Sequence, residues 1–166
     1  MTGATSERGM PSLGQAQHIL TVETRGPGFT DLTRQVAAWL GSIDANDGLL
    51  TLFVRHTSAS LAIQENADPD VLRDLAETLE KLAPRGARYH HSLEGADDMP
   101  AHIKSMLTAV SLGVPVAAGS PVLGTWQAIY LIEHRDRPHT REIVLHYLGT
   151  RFEGSAGVAA SCRDGS

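Results

Sequence analysis

The order of extended and helical segments is the feature that most constrains this fold. Six segments have the alternation or the apolar runs typical of strands, and three have apolar residues at helical spacing. They do not follow a regular βαβ rhythm, and the last two strands, joined by a polar loop, are predicted to pair antiparallel. The predicted class is therefore α+β, a single compact domain with a mixed, largely antiparallel sheet and about three helices.

The predicted strands cover residues 17–24, 49–56, 61–64, 114–118, 124–134 and 142–148. The second of them is a nearly continuous apolar run, which indicates a strand buried on both faces of its sheet. The third is short and follows closely, so we expect it to close a hairpin with the second.

Helix signals are clearest at Asp68-Pro69-Asp70, which offers a cap, a proline at the first position and an acid in the first turn. Apolar residues then recur at helical spacing up to Pro84. An earlier helix should follow a cap at Thr30 or Asp31. A later one should open at Pro100, which would place His102 and Lys104 in its first turn.

Composition limits the classes of function. The 166 residues carry a net charge of −5 and only 5% aromatic residues, which argues against broad nucleic-acid binding. No apolar run approaches the ~20 residues of a membrane span, and no secretory signal pattern is present. Cys162 is the single cysteine, which fits a reducing cytosol, so a cytoplasmic protein is expected. Residues 1–16 are predicted to be a disordered leader, 17–151 the domain and 152–166 a disordered tail.

The segment from Tyr89 to Lys104 is the strongest candidate for a site. Its sixteen residues include three histidines, three carboxylates and one lysine, mostly without helical or strand periodicity. Such a density of titratable groups in one loop predicts a metal or anion site. Histidines with carboxylates suit zinc, whereas carboxylates with few histidines suit magnesium holding a phosphate. A solvated acidic loop remains the alternative.

Further candidates lie elsewhere in the chain. The sequence His56-Thr57-Ser58 follows a buried strand, where small hydroxyl residues form either an anion nest or a tight corner. Taken alone, His56 is better explained as a core histidine bonded to a backbone carbonyl. Glu133 is a charge near the end of an apolar strand, so it is paired, a ligand or exposed at the rim. The basic and histidine residues after it are interpreted as a solvated loop, with anion binding as the alternative: His134, Arg135, Arg137, His139 and Arg141.

Several motifs together resemble the YjbQ-like family. They are His56-Thr-Ser-Ala-Ser60, Glu65-Asn-Ala-Asp-Pro69, the segment from His91 to Lys104, and Gly124-Thr-Trp-Gln127 followed by Glu133-His-Arg135. Their order and spacing agree across roughly residues 17–150. The resemblance implies a compact α+β homotrimer with sites at or near the subunit interfaces. It also implies a weak, secondary thiamine-phosphate synthase activity, which joins an aminopyrimidine diphosphate to a thiazole phosphate and releases diphosphate.

Residue chemistry and resemblance together give the predicted site. The predicted catalytic residues are His91, Glu94, Asp97 and Asp98. The predicted substrate- or anion-binding residues are His56, Thr57, Ser58, Asn66, Lys104, Trp126 and Gln127. The predicted ligands of a divalent metal, zinc or magnesium, are His91, His102 and Glu133.

Two other functions remain open at this point. One is a metal-dependent hydrolase of an unknown phosphorylated or amide substrate, and the other is a non-catalytic module that binds a small anion or a protein partner. No Gly-x-Ser-x-Gly sequence surrounds Ser58 or Ser60, which argues against a serine nucleophile. In a trimer, a neighbouring subunit is expected to supply the partner of a charged strand end such as Glu133 or His134.

Overall fold

A computed structural model describes residues 13–151 of the chain. The elements in chain order are β1 (Leu13–Glu23), β2 (Gly28–Asp31), α1 (Thr33–Ser42), β3 (Ala45–Val54), β4 (Ala59–Glu65), α2 (Pro69–Leu82), α3 (Asp98–Leu107), β5 (Ser111–Ala117), β6 (Ser120–Pro121), β7 (Gln127–Glu133) and β8 (Thr140–Arg151). The predicted tail and residues 1–12 of the predicted leader lie outside the described residues. Because β1 begins at Leu13, the last four residues of that leader belong to a strand.

Two antiparallel sheets share one hydrophobic core. The larger has the order β1-β8-β3-β5-β6 and the smaller has the order β2-β7-β4. Buried side chains from both sheets and from α1 form the core, among them Leu50, Leu52, Leu145, Leu61, Ile129, Leu131, Val36 and Leu40. The three helices and two sheets of the described part confirm the predicted α+β class. No helix in residues 13–151 is long and apolar enough to cross a membrane.

Strand β3 is buried on one face only, which corrects the prediction of burial on both faces. Leu50 and Leu52 are fully buried, whereas the alternate residues Leu49 and Phe53 are 47% and 46% exposed. The strand lies in an antiparallel sheet, and such a sheet needs only one covered face. Apolar residues on both sides of a strand therefore do not require two covering layers.

On the side away from the core, which no element in residues 13–151 covers, the larger sheet carries a group of apolar side chains. The strand registers align Ile19 with Val144 and Val144 with Phe53, and they align Leu49 with Leu148. Paired residues in an antiparallel ladder point to the same side of the sheet. We call the surface formed by these five residues the outer sheet face.

Both hairpins predicted from the sequence are wrong. Strands β3 and β4 lie in different sheets, and so do β7 and β8. The chain changes sheets at residues 55–58 and again at 134–139. Polar contacts join the two corners, since Arg141 in β8 donates to Glu133 in β7 and to the Ser58 hydroxyl. These contacts span up to 83 residues, so closeness in sequence could not have indicated them.

The helices agree with the sequence where the signal is local. Helix α2 begins at Pro69, and the Asp68 carboxylate accepts a hydrogen bond from the Asp70 N–H at 2.9 Å. Helix α3 begins at Asp98, two residues before the predicted Pro100. His102 therefore lies one turn into α3 and Lys104 lies in its last turn, which corrects their predicted place beside the helix-start amides.

Candidate metal centre

Three side chains meet where the 89–97 loop joins α3. One ligand atom each from His91, Asp98 and His102 lies within 4.8 Å of the others. The Asp98 Oδ2 atom is 2.6 Å from His91 Nε2 and 3.3 Å from His102 Nε2. The Asp98 side chain is only 2% exposed, whereas that of His91 is 43% exposed. The cluster is thus anchored at a buried carboxylate and opens to solvent through an imidazole.

Local structure explains how these residues converge. Asp98 and His102 are four residues apart on α3, so their side chains lie on the same side of the helix. The loop turns back at Gly95, whose φ of +112° favours glycine, and the Gly95 carbonyl accepts the Asp98 N–H at 3.3 Å. A side chain at this position would also crowd the Asp97 carboxylate, because a Cβ would lie 2.9 Å from its oxygen. The turn therefore brings His91 back to Asp98.

Arg135 holds the loop and the start of the helix together. Its Nε donates to Asp97 Oδ2 at 2.9 Å, its Nη1 donates to Asp98 Oδ1, and its Nη2 donates to the Glu94 carbonyl at 3.0 Å. Desolvation acts to raise the pKa of Asp97, but the Asp136 N–H and the Arg135 guanidinium outweigh it and lower this pKa. Asp97 therefore holds Arg135 in place, and Arg135 fixes the Oδ1 atom of Asp98.

The ring of His102 is oriented by a backbone carbonyl. His102 Nδ1 lies 3.0 Å from the Thr57 oxygen, and a carbonyl only accepts, so we assign the ring proton to Nδ1. In the neutral ring Nε2 then carries a lone pair that faces the Asp98 carboxylate at 3.3 Å. Two acceptors this close repel each other unless a proton or a cation lies between them. Two imidazoles and a carboxylate, with an accessible side, fit a zinc-type site better than an all-oxygen magnesium site.

Several predicted site residues are not brought to this cluster, among them Glu94, Lys104 and Glu133. Glu94 approaches it through its carbonyl, and its side chain is exposed. Lys104 is buried and pairs with Glu80 of α2. Glu133 is buried against Arg141, so the structure gives it partners other than the two histidines.

Glu133 is satisfied entirely within its own chain. Its carboxylate accepts from Thr24 Oγ1 at 2.7 Å, from two nitrogens of Arg141 at 2.7 and 2.6 Å, and from the N–H groups of His134 and Arg135. Desolvation acts to raise the pKa of Glu133, but the Arg141 guanidinium and these donors lower it. The expectation that a neighbouring subunit supplies its partner is therefore wrong.

The predicted anion-binding residues occupy two separate places. His56 is half-buried, its Nε2 accepts the Glu142 N–H at 2.9 Å, and burial, together with Arg141, lowers its pKa. The Thr57 carbonyl orients His102, and the Ser58 hydroxyl accepts from Arg141. The other set, Asn66, Trp126 and Gln127, lies near the start of β7, six residues before Glu133 and thus about 20 Å away along the strand.

Sequence reasoning missed the roles of the basic residues that follow β7. His134 and Arg141 are buried, and Arg135 binds two acids of the candidate site. Burial, followed by the Lys104 charge, lowers the pKa of His134 to about 4. The signal that could have found them is Glu133, since a carboxylate at the end of an apolar strand requires cations nearby.

A cavity lies on each side of the cluster. His91 lines one of about 630 Å³, whose other lining residues include Arg85, Arg88, Tyr89, His90 and Met99. His102 lines one of about 530 Å³, together with Phe53, His56, Thr57, Met106 and Val110. The first cavity is rich in cationic groups and the second is mostly apolar, so the cluster faces both a polar and an apolar space.

Comparison with known proteins identifies the family. The family model described as UPF0047 protein YjbQ-like matches residues 17–150. This chain belongs to the YjbQ (UPF0047) family. The YjbQ-family relatives include a Synechocystis UPF0047 protein, 52% identical over 81% of this chain and 92% of its own length. YjbQ of Escherichia coli O157:H7 is 42% identical over 77% of this chain and 94% of its own length.

Solved structures of similar proteins share the fold. A hypothetical protein from Aeropyrum pernix has a TM-score of 0.74 and 34% identity, covering 81% of this chain and 98% of its own. A YbjQ-like protein of unknown function from Sulfolobus solfataricus has a TM-score of 0.77, covering 83% of this chain and 99% of its own. The latter is 23% identical, so it supports the YjbQ-like fold alone.

Proposed function

We propose that this YjbQ-family protein binds a divalent metal at His91, Asp98 and His102 and acts there on small phosphorylated molecules. The reaction proposed is a low-efficiency thiamine-phosphate synthesis, in which an aminopyrimidine diphosphate and a thiazole phosphate are joined and diphosphate is released. The observation that supports it most is the contact between the Asp98 carboxylate and the His102 nitrogen to which we assign a lone pair, because a proton or a metal cation must lie between two such acceptors, and a metal cation bound there would also contact His91. The specific reaction rests on the family resemblance.

The residues of the chain have separable roles in this proposal. A bound divalent ion would supply positive charge to the departing diphosphate. Arg135 holds Asp98 Oδ1 and the Thr57 carbonyl holds His102 Nδ1. The remaining oxygen of Asp98 and the Nε2 atom of His102 are thereby oriented toward the metal position. Arg88, in the cavity lined by His91, is suited to bind phosphate oxygens.

A metal-dependent hydrolase is the second candidate. The His91 side chain is 43% exposed beside a large open cavity, so water has access to the cluster. Catalytic zinc sites keep one position free in this way. Hydrolysis of a phosphorylated substrate and transfer between two such substrates would use the same three ligands.

The test measures thiamine phosphate formed from the two substrates by protein stripped of metal, before and after zinc or magnesium is added. We expect added metal to restore activity, and His91→Ala and His102→Ala to lose at least ~100-fold. His18→Ala is the matched control, because His18 is an exposed histidine on β1 that stacks on Trp39. Full activity in both cluster variants would overturn the proposal, and phosphate release without thiamine phosphate would favour the hydrolase.

We further propose that the chain forms a homotrimer in the cytoplasm through the outer sheet face. That face exposes Phe53, Leu49 and Leu148, and no element in residues 13–151 covers it. Because Phe53 also lines the cavity beside His102, such an interface would border the candidate site. Light scattering should give the mass of three chains, and Phe53→Asp should dissociate them. A monomeric wild-type protein would contradict this proposal.

A further inference from the structure

A third cavity lies on the other side of α3 from the candidate metal centre. It has a volume of about 190 Å³ and is lined by residues of β2, α2, α3 and β7. Among the described residues, none lines both this cavity and either of the two cavities beside the cluster. His102 and Lys104 are two residues apart on α3, so they point to different sides of the helix and belong to different sites.

Two buried polar side chains face this third cavity. Lys104 and His134 are each only 3% exposed. The Lys104 ammonium has three donor positions, and in residues 13–151 its one acceptor is Glu80. His134 Nε2 lies 2.8 Å from the Ser60 hydroxyl, whereas its Nδ1 has no partner in that part of the chain and is not sealed from solvent. The cavity therefore offers donors from two elements to one ligand.

The remaining walls limit the size and charge of that ligand. Apolar side chains of Pro27, Phe29, Leu79 and Ile132 line the cavity, which has space for about six water molecules. Glu77, Glu80 and Glu133 also border it. These carboxylates would repel a dianion such as phosphate more strongly than a monoanion.

We propose that the third cavity binds a short-chain monocarboxylate. The carboxylate accepts hydrogen bonds from Lys104 Nζ and His134 Nδ1, and the Ser60 hydroxyl donates to Nε2 of the same ring. The aliphatic end packs against Phe29 and Ile132. This geometry uses the two buried donors and the apolar wall together.

Glu80 acts as an internal competitor for the ligand. Its carboxylate pairs with Lys104, and its side chain is 41% exposed. Arg85 Nη2 lies 3.5 Å from the same Glu80 oxygen. Glu80 can therefore turn toward Arg85 and release Lys104 without losing all of its cationic partners.

This site is tested by titrating the full-length protein with butyrate and measuring butyrate binding by ligand-observed NMR. We expect saturation with a dissociation constant of about 1 mM, and weaker binding of acetate because it lacks the apolar tail. Glu80→Gln should tighten butyrate binding by about threefold to tenfold, because it removes the competing charge. Lys104→Met should weaken it at least tenfold.

Ala76→Leu provides a second variant that leaves the charged groups intact, since it adds volume from α2 into the cavity and should block butyrate. If Lys104→Met does not fold, the Ala76→Leu variant alone shows whether butyrate binds in the third cavity. His91→Ala should bind butyrate as the wild type does, which separates this site from the proposed metal centre. Binding that fails to saturate, that is unchanged in Glu80→Gln and Ala76→Leu, or that is displaced by inorganic phosphate would overturn the proposal.

Discussion

Asp98 and Glu133 are equally buried carboxylates that differ in their hydrogen-bond partners. Each residue is 2% exposed. Glu133 accepts five hydrogen bonds from Thr24, Arg141 and two backbone N–H groups, so its charge is fully satisfied. Asp98 is held by Arg135 through one oxygen, while the other faces the imidazoles of His91 and His102. Burial of a charge therefore does not mark a site, but Asp98 differs from Glu133 because one of its oxygens lies against two histidine nitrogens, to one of which we assign a lone pair.

The largest effect on stability is expected when Glu133 loses its cationic partner Arg141. Arg141→Met should lower the free energy of unfolding by about 3–5 kcal/mol, because Glu133 would keep an uncompensated buried charge. Urea denaturation followed by circular dichroism measures this change. The matched control is Arg55→Met, whose ion pair with Glu142 is half exposed and should contribute less than ~1 kcal/mol. Equal losses in the free energy of unfolding would contradict the view that the buried Glu133 charge depends on Arg141 more than an exposed ion pair depends on its cation.

The next effect concerns the pH dependence of stability around His134. Its pKa is about 4 in the folded protein and near 6.5 in the unfolded chain, so the unfolded state binds more protons between these values. Stability contributed by the neutral ring is present above pH ~6.5 and is lost, up to about 3 kcal/mol, as the pH falls toward 4. His134→Gln should flatten this part of the stability profile. Parallel profiles for variant and wild type would count against a buried neutral ring.

The Asp98 carboxylate should control metal affinity more than fold stability. Asp98→Asn keeps the shape of the side chain but removes its charge, so we expect zinc affinity to fall by about 100-fold, equivalent to ~2.7 kcal/mol. Competition with a chromophoric chelator measures the change. His18→Ala should leave the affinity unaltered, and an unchanged affinity in Asp98→Asn would exclude Asp98 as a ligand.

The smallest effect on zinc affinity should come from Arg135, which binds Asp98 Oδ1. Lysine at position 135 cannot reproduce the guanidinium fork that reaches Asp97, Asp98 and the Glu94 carbonyl at once. Arg135→Lys should therefore reduce zinc affinity by about tenfold. The same chelator competition reports it, and a loss as large as that of Asp98→Asn would mean that Arg135 does more than position the carboxylate.

Local sequence signals predicted the elements that local interactions determine. Helix α2 was predicted because its cap, proline and apolar spacing all lie within residues 68–84. The hairpins β3–β4 and β7–β8 were predicted wrongly because the choice of sheet depends on distant contacts such as Arg141 with Ser58. Segments were thus easier to predict than their pairing.

The same limit applies to the candidate site. The sequence indicated the 89–104 segment, and the i, i+4 spacing of Asp98 and His102 is local. It could not reveal that Arg135 reaches back 37 residues to Asp98 while Glu133, two residues before it, turns to Arg141. A carboxylate at the end of an apolar strand indicates that a cation lies nearby, but only the folded chain shows which cation it is.

Calorimetric titration of the metal-free protein with zinc tests whether the Asp98 cluster holds a cation. We expect one zinc site per chain in the wild type and in folded Glu133→Gln protein, and no such site in His102→Ala. Absence of specific zinc binding, or undiminished binding in His102→Ala, would contradict it.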